Sequence, residues 1–255
     1  YLSTDNKFKK FLYMTIEKVL RTKNTIILAT SNSEKSQAIQ TVGYEKKKVF
    51  ALKNAIDKRS IGEDKDLEKT LKSKRYICTV GRPSFQKNLE MLIRAFEIVS
   101  KNNNKVHLFI IGAGEYSPRK VKIVNMINKK NLSTRVTILP WVSRKKVQTY
   151  IKNAMLYVSS SRYEGMPFSV IESMALSIPS VLTNTDGNRD LVIDKKSGYL
   201  VEIGDYVEMA NKIMNLLNEN ELRKKLAFEA NKIFMQNHLL SNYLQKLTAH
   251  YQKFS

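Results

Sequence analysis

The chain has 255 residues, 42% of them hydrophobic and 26% charged, which suits one large or two small globular domains with a buried core. No apolar run reaches the roughly 18 residues of a membrane-spanning helix, no secretory leader pattern is present, and the single cysteine, Cys78, excludes an internal disulfide, so a reducing cytoplasm is the expected setting. Lys and Arg outnumber Asp and Glu by 44 to 23, and the net charge of +21 favours polyanionic partners, although a general bias toward Lys and Asn accounts for the same surplus.

In chain order, "NKFKKFLYMTIEKVLRTK" (6–23) places Phe8, Leu12, Ile16 and Val19, with Phe11 and Leu20, on one side of a helix. It reads either as a helix packed within a domain or as one lying on an anionic membrane surface. "TIILAT" (25–30) and "KVFAL" (48–52) read as strands flanking a helix near 33–42, and a polar linker follows over 57–74. "YICTVG" (76–81) is a buried-strand pattern ending in glycine, after which Leu89, Leu92, Ile93, Phe96 and Val99 recur at helical spacing. Then come a strand "VHLFIIG" (106–112), a helix near 117–130, a strand "RVTIL" (135–139) and a helix near 143–153. "MLYVSSS" (155–161), a helix opening at Pro167 and "PSVLT" (179–183) continue the alternation, and Leu200 and Val201 close it.

Strands alternating with helices predict an α/β fold, a Rossmann-like doubly wound parallel sheet built from right-handed crossovers. From 205 to 250 the pattern is helical, with Ile213, Leu216 and Leu217 on one face and further helix over 219–247. The segment before the linker carries too few elements for a complete sheet and begins at Tyr1, which together predict an incomplete N-terminal domain.

Ligands of open α/β sheets bind at the carboxyl ends of strands, and three polar clusters fall there. In "GRPSFQKN" (81–88), Gly81 permits close backbone approach, and Arg82 and Lys87 beside a helix start suit a diphosphate; an ordinary basic loop is the competing reading. "IIGAGEYS" (110–117) offers a Gly-x-Gly but has Ser117 where a dinucleotide fingerprint needs its third glycine, so it reads as a tight turn. "SRYEGMPFSVIESMALSIPSVLTN" (161–184) carries Glu164 and Glu172, eight positions apart. Pro167 fits the first helical position, which would leave the N–H groups of Phe168, Ser169 and Val170 free for a phosphate. Glu172 would reach from the helix to a ribose diol and Glu164 would face a sugar; solvated surface charge is the alternative for both.

Taken together these clusters resemble glycosyltransferase family 4, the retaining enzymes of GT-B fold, over residues 24–235. The carriers are "VGRPSFQKN", "IIGAGE", "LPWVSRKKVQTYIKNAMLYVSSSRYEGMPFSVIESMALSIPSVLTNTDGNRDLV" and "KSGYLV", and above all the Glu-x7-Glu motif in its order after the Gly-Arg…Lys loop. "KNAID" (53–57) is similar to the family's Asn-Gly-Val-Asp segment at the interdomain junction, with Ala55 in place of glycine. The resemblance implies three parts: residues 1–65 as a remnant of the acceptor-side domain, 66–236 as the nucleotide-sugar domain, and 237–255 as a helix returning to the first domain. It implies that Arg82 and Lys87 hold the donor diphosphate, Glu172 the ribose hydroxyls and Glu164 the transferred sugar. Backbone at Gly165, Met166 and Pro167 would line the sugar, and Phe168, Ser169 and Val170 would complete the phosphate site. Met166-Pro167 stands where Phe-Gly is frequent, which leaves the sugar open. Val142 belongs to the Pro140–Val142 turn, where the family seats the base; Trp141 there also reads as a core aromatic.

The implied reaction transfers a sugar from a nucleotide sugar, UDP-linked by expectation, to a surface polysaccharide, O-antigen or lipid-linked glycan, with retention. Arg82 and Lys87 would stabilise the leaving diphosphate and Glu164 would position the sugar. No metal or other cofactor is needed; Asp64 and Asp66 form an Asp-x-Asp, but in a charged linker that reads as surface charge. His107, His238 and His250 are too scattered for zinc, and Cys78 reads as core. The expected partners are the nucleotide sugar, a glycan or lipid-linked acceptor and, peripherally, the inner face of the cell membrane, with no nucleic acid. Without a complete acceptor domain the chain would bind donor yet transfer poorly. The competing readings are a GT-B epimerase or phosphorylase and a basic nucleic-acid-binding module, for which no motif is present.

Overall fold

A computed structural model describes residues 7–20 and 26–254 of the chain. The first helix, α1 (Lys7–Leu20), carries Phe8, Phe11, Leu12, Ile16 and Val19 exposed along its length. The side chain of Leu20, and residues 6 and 21–23 of the predicted helix, lie outside the described residues.

A small parallel sheet follows. Strands β1 (Ile27–Ala29) and β2 (Val49–Ala51) pair with Ile27 opposite Val49. The crossover between them is α2 (Asn32–Gln37), capped by Ser31, whose hydroxyl accepts from the Glu34 N–H at 3.0 Å, and continued by a wide turn over Ala38–Val42. Gly43 ends that turn at φ 84°, the left-handed conformation a side chain resists.

The predicted linker is partly helical, a correction with a local cause. Within it α3 (Lys65–Leu71) is held by Asp64, which caps it by accepting from the Leu67 N–H at 3.0 Å. Leu67 and Leu71, four apart, face the core, and Leu71 is buried.

The main sheet has six parallel strands: β3 (Tyr76–Val80), β4 (His107–Ile111), β5 (Val136–Leu139), β6 (Leu156–Ser159), β7 (Ser180–Thr183) and β8 (Tyr199–Val201). Their spatial order is β5-β4-β3-β6-β7-β8, so the winding reverses between β3 and β6. This is the doubly wound order of the Rossmann fold, with its crevice at the reversal. Alternate strand residues serve opposite faces. Ile77, Leu108, Ile110 and Val158 meet α4 (Leu89–Asn102), α5 (Lys120–Lys129) and the later helix α9 (Tyr206–Asn218) through Phe96, Ile123 and Ile213. Cys78, Phe109, Tyr157 and Leu182 face α6 (Arg144–Lys152), α7 (Phe168–Ala175) and the later helix α10 (Asn220–Asn237). Burying each such side chain contributes about 1.5–3 kcal/mol.

A short helix α8 (Asp186–Arg189) follows β7, and α9 (Tyr206–Asn218) follows β8. The helical pattern expected over 219–247 and the returning helix implied over 237–255 correspond to α10 (Asn220–Asn237) and α11 (Leu240–Phe254). They part at His238-Leu239, where the backbone turns its hydrogen bonds to Ile56 instead: the Ile56 N–H donates to His238 O at 3.0 Å and the Leu240 N–H to Ile56 O at 3.1 Å. Beyond that point α11 brings His250 against Phe50 of β2, with ring centroids 4.5 Å apart.

Candidate functional site

The reversal between β3 and β6 opens into a cavity of about 450 Å³. One wall is the loop after β3. Gly81 lies at φ +148°, and a Cβ there would sit 2.8 Å from the Lys87 Cε, so the absent side chain is the groove in which Lys87 lies. Lys87 thereby reaches across the reversal to Glu164, Nζ to Oε1 at 2.7 Å. The loops are sewn together beneath this pair. The Ser160 hydroxyl donates to Lys87 O and Asn88 O at 3.0 Å, and the Arg162 N–H donates to Gln86 O at 2.8 Å.

Glu164 has further donors: the Ser161 hydroxyl at 2.6 Å on the same oxygen, and Gln86 Nε2 at 3.4 Å on the other. Its side chain is 7% exposed. Arg82 also lines the cavity, and no described residue pairs with its guanidinium. The loop after β3 thus presents one bridged and one unbridged cation to the cavity, ready for an anion that competes for Lys87.

The opposite wall is the start of α7. Pro167 is the cap of this helix, with extended backbone at ψ 123°, rather than its first helical residue. The Val170 N–H consequently turns back to Pro167 O at 3.2 Å, and the Val170 side chain is buried in the core. Among the described residues only Phe168 and Ser169 of the expected trio keep unpaired amides. The Ser169 hydroxyl accepts from the buried Tyr157 hydroxyl at 2.7 Å, which leaves its own proton for a ligand.

Glu172 projects from α7 with its side chain 9% exposed. Its Oε1 accepts from Arg144 Nε at 3.0 Å and Gln148 Nε2 at 3.1 Å, both from α6. Oε2 therefore remains to meet a ligand, and the carboxylate is fixed and charge-balanced by residues that sequence reasoning missed. Val142 lines the same cavity, as do Gly81, Arg82, Lys87, Glu164, Pro167, Phe168, Ser169 and Glu172. Trp141 lines it too and is 72% exposed, so it is no core aromatic.

The indole of Trp141 explains the Gly-x-Gly pattern. A Cβ on Gly114 would lie 2.3 Å from its Nε1, while Gly112 adopts φ +98° beside Gly81. The two glycines serve a turn and an aromatic contact, and Ser117 is buried.

Gly165, Met166 and Val170 do not line this cavity. The Met166 side chain is core, and its carbonyl accepts from Asn54 Nδ2 of the "KNAID" segment at 2.9 Å. Gly165 lines a second, larger cavity of about 730 Å³ between α2 and the loops after β6 and β7. Glu164 borders both, so its carboxylate stands at the passage between them. A Cβ on Gly165 would come within 2.6 Å of Glu34 Oε1, whose carboxylate is held by the Thr30 N–H at 2.9 Å. Of the Asp-x-Asp read as surface charge, Asp64 caps α3 and Asp66 bonds Lys69 at 3.2 Å. His107 bonds Thr137 and His238 bonds Asn54 O, each at 2.8 Å.

The model of the family described as glycosyl transferases group 1 matches residues 61–233. The chain is 30% identical to a poly(ribitol-phosphate) α-N-acetylglucosaminyltransferase of Staphylococcus aureus over 70% of its own length and 35% of the relative's. It is 29% identical, over 86% of itself and 58% of the relative, to a Campylobacter jejuni α-N-acetylgalactosaminyltransferase whose name specifies a diphospho-undecaprenol substrate. The crystal structure of S. aureus TarM with fondaparinux, α-GlcNAc-glycerol and UDP superposes with a TM-score of 0.78 at 25% identity, over 96% of this chain and 46% of that one. The chain thus spans between about a third and three fifths of the curated relatives it matches.

Proposed function

We propose, since this chain belongs to the group 1 glycosyl transferases, that it forms the donor side of a retaining family 4 transferase that moves a sugar from UDP to a polysaccharide or lipid-linked glycan. The observation that carries the reading is the cavity at the strand reversal. It sets two cations and the start of α7 on opposite walls and holds Glu172 with one oxygen engaged and one open. The named substrates of the relatives and the UDP in the TarM structure support the choice of donor and acceptor class.

In this reading the diphosphate lies between Arg82, Lys87 and the Phe168 and Ser169 amides, and Glu172 Oε2 accepts from the ribose. The diphosphate competes for the Lys87 ammonium and releases Glu164, whose carboxylate turns to the sugar hydroxyls. As the sugar–oxygen bond breaks, charge collects on the departing phosphate oxygen, where the cations and the dipole of α7 already point. That oxygen takes the proton of the acceptor hydroxyl attacking from the same face. The larger cavity beyond Glu164 admits the acceptor. Fixed cations supply the role a divalent metal plays elsewhere, and no metal ion or other cofactor enters the scheme.

Calorimetry with UDP in EDTA tests the reading. Binding that survives the chelator is expected, whereas binding lost in EDTA and restored by Mn²⁺ would overturn metal independence. A salt-dependent oligonucleotide shift with no UDP binding would favour the nucleic-acid alternative.

A further inference from the structure

A third cavity of about 290 Å³ lies on the other side of the Lys87 loop. It forms where α4, α5 and α9 all begin, so three helix N-termini converge on it. Arg94, Arg119, Lys122 and Arg162 line it, and Glu90 is its single carboxylate. Glu90 is nearly buried and holds Arg119 and, at 3.3 Å, Lys122 in place. Arg119 and Arg162 stack over Phe85, 5.0 and 4.2 Å from the ring centre, and Arg94 lies 5.6 Å over Tyr206. Four cations against one carboxylate leave an unbalanced positive charge of three in a small concave space. Aromatic stacking fixes the guanidinium planes without neutralising them, a geometry that favours a tetrahedral oxyanion.

We propose that this cavity is a phosphate subsite, distinct from the donor diphosphate site, and that the phosphate it takes is carried by the acceptor. The second part rests on the transferase reading and on continuity: Arg162 and Ile203 line both this cavity and the larger one beside Glu164. An acceptor seated in the larger cavity reaches Arg162 without crossing the donor site.

The test uses the chain saturated with UDP, so that the donor pocket is filled, and titrates it with glycerol 3-phosphate and separately with inorganic phosphate. One further site is expected for glycerol 3-phosphate. Arg94→Gln combined with Lys122→Gln spares the Arg119–Glu90 pair, and should weaken that site about tenfold or more while leaving UDP affinity unchanged. Absence of a second site in the wild type, or equal binding by the double variant, would overturn the subsite. Transfer assays with phosphorylated and dephosphorylated forms of one glycan then separate the sources. A KM advantage of the phosphorylated acceptor that disappears in the double variant is expected. No advantage, with inorganic phosphate bound as well as the ester, would overturn the acceptor assignment. Phosphate binding that persists in a chain unable to bind UDP would count against the transferase reading and for the subsite.

Discussion

Glu164 and Glu172 border one cavity but have different partners, and their substitutions should separate accordingly. In the proposed reading Glu172→Ala removes the oxygen that meets the ribose and also leaves Arg144 without its partner, so UDP affinity should fall by about 1.5–3 kcal/mol. Glu164→Ala frees Lys87 from its 2.7 Å partner, so UDP affinity should hold or rise while the proposed sugar transfer slows. Equal losses of affinity in two folded variants would refute the division. Behind this pair, Gly187 is the least replaceable neighbour: a Cβ there would lie 2.3 Å from Gly165 O, and its N–H donates to Glu164 O at 3.0 Å. Gly187→Ala should lower stability by about 1–3 kcal/mol, read as a fall in melting temperature. At this scale the acidic and basic site residues were legible because their chemistry and order are unusual. Arg144 was not: in "SRKKVQ" nothing marks it off from Lys145 and Lys146 except that it stands four residues before Gln148, on the same helical face.

Elements were legible wherever apolar spacing dominated and lost where one polar residue decided. The linker hid α3 because Asp64 looked like one more charge, yet its carboxylate caps the helix; Asp64→Ala should cost about 1 kcal/mol in chemical denaturation and leave UDP binding intact. Likewise the helical pattern continues through 219–247, and the tertiary bonds of His238 show why α10 ends where it does. His238 donates from Nδ1 to Asn54 O, while its buried Nε2 has no partner among the described residues. Burial, above all, holds its pKa below the usual imidazole range, with Lys53 and Lys246 acting in the same direction. The unfolded chain therefore binds the proton first, so stability is full above about pH 6.5 and declines as the pH falls below it. His238→Asn should reduce the loss of stability between pH 7.5 and 5.5 by about 1 kcal/mol, measured by urea titration. An unchanged pH dependence would show that the imidazole is not held neutral.

For the whole molecule, alternation of strands and helices predicted the parallel sheet, but not the order β5-β4-β3-β6-β7-β8. That order depends on which edge each crossover takes, a choice made by pairing between segments far apart in sequence. The larger of the two cavities that meet at Glu164 was likewise invisible, because it arises only when α2 and the β6 and β7 loops face each other. Filling the smaller one should be felt throughout: UDP at a hundred times its Kd should stabilise the chain by about 2.7 kcal/mol, with EDTA making no difference to the shift. The chain also passes twice between the small sheet and the large one, at 52–57 and again at 238–240, and Ile56 bonds the two passages side by side. A single tether would let the halves swivel about any bond. Two passages bonded side by side restrict the relative twist of the sheets more than a single tether would, and so help keep Glu34 against one face of Gly165, where a Cβ would come within 2.6 Å of its Oε1.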